Sequence, residues 1–181
     1  MSSPLAPVLA RVTLVLGGAR SGKSLYAETL LDGFANKIYL ATAEAKEVER
    51  DAEMAARIAE HRERRGPEWQ TVEEPLALTS WLAAHSTPDH PVLVDCLTLW
   101  LSNILGANRD VDGDIRALAD GLGSCAAPVV LVSNEVGLGI VPDNALARAY
   151  MDNAGRMNQA VAAAADRVVV MHAGLAHVLK E

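Results

Sequence analysis

Apolar residues gather in short, nearly unbroken runs along this chain instead of alternating with polar ones. RVTLVL (11–16), IYLAT (38–42), PVLVDCL (91–97), PVVLVSNEV (128–136) and RVVVMHA (167–173) are the clearest, and QTVEE (70–74) is a weaker sixth. A strand that is apolar at successive positions is buried on both faces, as in a parallel sheet covered by helices. Between the runs the spacing changes to a helical one. It predicts helices from Lys23 to Leu31, over 47–65 with Val48, Ala52, Ala55, Ile58 and Ala59 on one side, from Leu76 to Ala84, from Thr98 to Leu105, and over the alanine-rich stretch Asn144–Ala165. GANRDVDGD (106–114) reads as a turn-rich surface connection and not as a domain boundary. Strands alternating with helices give an α/β fold, with residues 1–181 expected to form one domain.

Composition narrows the function classes. Half of the 181 residues are apolar while aromatic residues make up 4%, so the core is expected to be built from Ala, Val, Leu and Ile. No apolar run approaches the ~20 residues that span a bilayer, and MSSPLAPVLA at the start lacks the basic region and cleavage site of a secretory leader. Cys96 and Cys125 stand in neither a CxxC pair nor a metal spacing, which suits free thiols in the cytoplasm. The net charge of −7 argues against a nucleic-acid-binding surface.

The first chemistry appears directly after the first strand. Gly17, Gly18, Ala19, Arg20, Ser21, Gly22, Lys23 and Ser24 fit G-x4-G-K-[ST] in full, between an expected strand and an expected helix. In such a loop the glycines let backbone N–H groups turn inward around phosphate oxygens. The lysine adds a positive charge, the hydroxyl after it ligates Mg²⁺, and the helix directs its positive end at the anion. The fold expected is therefore of P-loop NTPase type, a mostly parallel sheet with helices on both faces. The loop specifies a nucleotide and leaves the reaction open.

Two further places carry candidate chemistry. Asp95 closes VLVD, and a carboxylate at the end of a neighbouring parallel strand pairs naturally with Ser24 around Mg²⁺. AEHRERRGPEW (59–69) sets His61 beside Arg62, Arg64 and Arg65. A histidine at the end of a charged helix is ordinarily solvated. A neutral imidazole is also a competent nucleophile toward phosphorus, and guanidinium groups stabilise the charge that develops there. The residues alone leave both readings open.

GGARSGKS (17–24), YLATAE (39–44), RIAEHRERRGPEWQTVEEP (57–75), LVDCLT (93–98), SNEVGLGIVPDNALAR (133–148) and AGRMNQAVAAAADRV (154–168) together resemble the bifunctional adenosylcobinamide kinase/adenosylcobinamide-phosphate guanylyltransferases. The resemblance is collinear and covers nearly the whole chain. It implies two reactions: phosphorylation of adenosylcobinamide by a nucleoside triphosphate, ATP or GTP, and transfer of GMP from GTP to the adenosylcobinamide phosphate with release of pyrophosphate. It places the guanylylated histidine at His61. Contacts to GTP fall on Gly17 to Ser24, on Thr42, Ala43 and Glu44, on Arg62, Glu63, Arg64 and Arg65, on Glu73 and on Asp95. It also implies a homotrimer.

SNEVGLGIVPDN (133–144) follows the fourth strong strand, at the edge where open α/β sheets bind ligands. Asn134 and Glu135 are candidates there for contact with cobinamide or the metal, against the alternative of a structural loop capped by Asn144. His85, His90, His172 and His177 show no ligand spacing, and Trp69, Trp81 and Trp100 read as core or interface anchors. Two other functions remain compatible with the phosphate loop: a small-molecule kinase in which His61 is inert, and a nucleotide-switched regulatory protein.

Overall fold

The computed structural model describes residues 9–43 and 65–181. The expected helix over 47–65 therefore lies outside the described residues apart from its last position, as do Glu44, His61, Arg62, Glu63 and Arg64. In chain order the described elements are β1 (Val12–Gly17), α1 (Lys23–Thr29), β2 (Lys37–Ala41), β3 (Trp69–Glu73), α2 (Leu78–His85), β4 (Val92–Asp95), α3 (Leu97–Gly106), α4 (Val111–Leu122), β5 (Val129–Asn134), α5 (Ala145–Ala164), β6 (Arg167–His172) and β7 (Leu175–Lys180).

The strands form one sheet in the order β3-β2-β4-β5-β1-β6-β7. All neighbours run parallel except β7, which returns antiparallel along β6. The continuous apolar runs divide between two faces, as two-sided burial requires. Val12, Leu14, Val92, Val94, Val129 and Leu131 face one way and pack with α2 to α5. Val15, Leu93, Val130, Val132 and Val169 face the other way, where Ala27 and Leu31 of the α1 region cover them. Trp100 fills the larger core from α3, and its indole N–H donates to the Leu76 carbonyl at 3.1 Å.

Two elements differ from the sequence expectation. Residues 111–122, partly assigned above to a surface connection, are the helix α4. Its Val111, Ile115, Leu118 and Leu122 lie at helical spacing, with the last three buried. The turn-like composition has a local purpose: the Asp110 carboxylate caps the helix by accepting the Gly113 N–H at 3.1 Å, and Asp114 binds Arg109 at 2.6 and 2.7 Å. The second difference is β7, whose residues are all exposed. Ala173 and Gly174, at φ 51° and 81°, turn the chain back into it. The cap expected at Asn144 is present, its side-chain oxygen accepting the Ala147 N–H at 2.7 Å.

Candidate active site at the carboxyl edge of the sheet

The parallel strands bring Gly17, Ala41, Asp95 and Asn134 to a common edge. Gly17 ends β1, and the loop to α1 closes tightly behind it. Gly22 adopts φ 92°, a left-handed conformation that suits glycine, and directly precedes the first residue of α1. Arg20 also has a positive φ, 57°. The Lys23 ammonium donates to the Gly18 carbonyl at 3.2 Å, so the charge is held against the loop. The loop is braced from distant parts of the chain. Glu135 donates its N–H to the Gly17 carbonyl at 3.1 Å, and Gly174, at the β6–β7 turn, donates to the Ser21 carbonyl at 3.0 Å. The Ser21 hydroxyl is buried without a hydrogen-bond partner among the described residues.

Asp95 lies at the end of β4, two strands from β1, with β5 between. Its Oδ2 accepts the Tyr39 hydroxyl at 3.1 Å. Tyr39 is itself a junction. Its ring meets Trp69 edge-on at 6.4 Å, and the Arg65 guanidinium lies 3.4 Å from its centroid on a face. Burial and the neighbouring Asp95 push the Tyr39 phenol well above its ordinary value, with Arg65 pulling the other way, so it stays a hydroxyl donor. Arg65 Nη1 is buried with no hydrogen-bond partner among the described residues. The peptide between Asp95 and Cys96 is cis.

Thr42 ties β2 to β4. Its hydroxyl donates to the Cys96 carbonyl at 2.8 Å and accepts the Cys96 N–H at 3.0 Å, while its own carbonyl accepts the Asn103 amide at 2.7 Å. Among the residues expected around the nucleotide, Thr42 is thus fully buried and engaged in holding the sheet edge; Ala43 follows it. Glu73 is exposed at the end of β3, in register with Ala41. Asn134 and Glu135 also have local partners: Asn134 donates to the Thr98 hydroxyl at 2.8 Å, and Glu135 accepts the Gly137 N–H at 2.7 Å.

Behind this edge runs a polar layer that the sequence reading missed. Thr98 accepts the Tyr150 hydroxyl on its carbonyl at 2.8 Å and contacts the Cys96 sulfur at 3.1 Å. Asn158 accepts the Ser133 hydroxyl at 2.6 Å and donates to the Asn134 carbonyl at 3.2 Å. Burial pushes the Tyr150 phenol up to about 12 and raises the Cys96 thiol as well, with Asp95 adding to the latter and Thr98 and Lys23 partly opposing. Cys96 is therefore a neutral thiol near pH 7. Both cysteines are free.

The donor set suits a hard cation. Ser24 offers a hydroxyl and Asp95 a carboxylate, and no cluster of three or more acidic, histidine or cysteine residues is present among the described residues. Two protein oxygens, with phosphate and water completing the shell, is the usual arrangement for Mg²⁺ and not for a structural transition-metal site. The residues fit the ion.

The family model described as cobinamide kinase / cobinamide phosphate guanyltransferase matches residues 13–179. The chain belongs to that family. A relative in the family's sense is the bifunctional adenosylcobalamin biosynthesis protein CobP of Pseudomonas aeruginosa, 48% identical over 171 residues, 92% of this chain and 96% of that protein. Another is the bifunctional adenosylcobalamin biosynthesis protein CobU of Salmonella typhimurium, 41% identical over 177 residues, 90% of this chain and 96% of that one. Among solved structures, the P4 protein from bacteriophage phi6 in complex with ADP aligns with a TM-score of 0.47 and 15% identity, over 93% of this chain and 54% of that chain. No helix of the described residues is long and apolar enough to cross a membrane.

Proposed function

We propose that this protein carries out both reactions of its family: it phosphorylates adenosylcobinamide with a nucleoside triphosphate, then transfers GMP from GTP to that phosphate, giving adenosylcobinamide-GDP and pyrophosphate. The observation that carries the reading is the family match over residues 13–179, on a chain whose phosphate loop and Asp95 share one sheet edge.

In the kinase step Lys23 and the inward amides of residues 17–24 hold the triphosphate. Catalysis is then largely positioning plus stabilisation of charge on the transferred phosphoryl group. Ser24 and Asp95 are the residues that would hold Mg²⁺, and the ion supplies charge neutralisation on the phosphate oxygens. In the transferase step His61 is the nucleophile: its ring nitrogen forms a bond to the α-phosphorus of GTP as the bond to the pyrophosphate oxygen breaks. Lys23 and the loop amides receive the departing anion. The cobinamide phosphate then attacks the same phosphorus and releases the histidine. Two displacements replace a single difficult one between two anions. Arg62, Arg64 and Arg65 are assigned to the nucleotide's charge, Glu73 to its sugar or base, and Ala43, Glu44 and Glu63 to further contacts with it, with Thr42 bracing the strand end behind them.

A homotrimer in the cytoplasm completes this reading. Support for assembly comes from the loop after β5, where Leu138, Ile140 and Val141, with Leu146 beyond it, expose apolar side chains in the single copy.

The test is product analysis by mass spectrometry after incubation with adenosylcobinamide, Mg²⁺ and either ATP or GTP. The expected result is the phosphate whenever a usable triphosphate is present and the GDP conjugate with GTP alone. A phosphate that is never converted would reduce the protein to a kinase. Unchanged cobinamide in every mixture would overturn the reading altogether.

A further inference from the structure

We infer that Tyr39 is a positioning residue for the acidic end of β4, acting through Asp95. The inference rests on Asp95 being a ligand of the nucleotide-bound cation, as proposed above, and adds to it a residue that carries no charge of its own and lies outside the phosphate loop.

Tyr39 sits on β2 between Ile38 and Leu40, and its ring belongs to the smaller core with Leu93 and Val130. A tyrosine there needs only its ring for packing, and phenylalanine would fill the same space. The hydroxyl instead reaches the carboxylate at the end of the neighbouring strand and donates to one oxygen, Oδ2, at 3.1 Å. Among the described residues no other side-chain hydrogen bond holds that carboxylate. The ring is in turn fixed by Trp69 at its edge and by Arg65 against its face. The hydroxyl therefore points at Asp95 from a platform with little freedom. A hydrogen bond to one carboxylate oxygen leaves the other to face a cation in a set direction, the arrangement by which residues behind a metal ligand control its orientation. Loss of such partners typically lowers metal affinity or activity by about 10- to 100-fold.

The experiment is a double-mutant cycle of Tyr39→Phe and Asp95→Asn, read by electron paramagnetic resonance titration of Mn²⁺ into the protein complex with α,β-methylene-GTP, whose α–β linkage His61 cannot break, and, separately, by kcat and KM for cobinamide phosphorylation. The phenylalanine variant keeps the ring and is expected to unfold thermally within a few degrees of wild type. It should bind Mn²⁺ about 10-fold more weakly and lose about 10-fold in kcat. In the Asp95→Asn background the same substitution should change neither quantity by more than about 2-fold, because the group it acts through is already gone. Equal losses in both backgrounds would overturn the inference, since Tyr39 would then be acting through packing. So would wild-type Mn²⁺ affinity in Tyr39→Phe alongside weak binding in Asp95→Asn, which leaves the reading of Asp95 standing. Wild-type affinity in Asp95→Asn would remove that reading and the inference with it.

Discussion

Lys23→Met should lower both the phosphorylation of cobinamide and the transfer of GMP by about 10²- to 10³-fold, with the fold unchanged. The ammonium stands at the first residue of α1 and, among the described residues, bonds to a loop carbonyl alone, at 3.2 Å. In the proposed reactions that contact is exchanged for phosphate oxygens when a nucleotide enters. A preorganised donor aimed at developing negative charge contributes on the order of 3–4 kcal/mol to a transition state. Methionine keeps the unbranched stem and the helix propensity, and the side chain is not buried, so stability should move by no more than about 0.5 kcal/mol. Initial rates of both reactions, with a thermal melt alongside, check this. If the two reactions share one triphosphate site, as proposed, they should fall together. Loss of one alone would mean that separate sites serve them.

Gly17→Ala should destabilise the protein clearly, and Gly18→Ala, one residue later, should leave its stability nearly unchanged. A Cβ at Gly17 would come within 2.5 Å of the Ser21 hydroxyl and 2.8 Å of the Met171 carbonyl. The serine oxygen can rotate away, but the carbonyl is backbone of β6, in register with Gly17 itself. Relief requires β1 and β6 to separate at the point where the loop starts. Overpacking of this kind costs about 1–3 kcal/mol in stability, and a displacement of about 1 Å at the phosphates can cost about 10²-fold in rate. At Gly18 a Cβ would meet nothing within 4 Å. Thermal denaturation of the two variants should therefore separate clearly, and comparable melting would contradict the packing described for the loop.

Much of this site was legible in the sequence, for identifiable reasons. The strands announce themselves because both of their faces are buried, as Leu14 and Val15 show by entering opposite cores. The phosphate loop is legible because its chemistry needs glycine, lysine and a hydroxyl at fixed spacing, and Asp95 because it interrupts an apolar run at a strand end. Helix α4 was obscured because Gly113 and three aspartates give its first turn the composition of a loop, although Val111, Ile115, Leu118 and Leu122 carry the helical period. Strand β7 leaves no burial signal, since it pairs on one side at the sheet edge and all six residues are exposed. Tyr39 reads from sequence as an ordinary core aromatic: nothing local distinguishes a phenol that reaches a carboxylate 56 positions away. The same holds for Thr98, Tyr150 and Asn158, whose partners meet only after the sheet is assembled.

The central claim is that one phosphate loop serves nucleotidyl as well as phosphoryl transfer, by way of His61. Incubation of wild type and His61→Ala with Mg²⁺ and GTP labelled at the α-phosphate, followed by denaturation, tests it most directly. The account predicts label retained on wild type alone, lost in acid and stable in base, as a phosphoramidate requires. Absence of label from both proteins, or equal label on both, would contradict it.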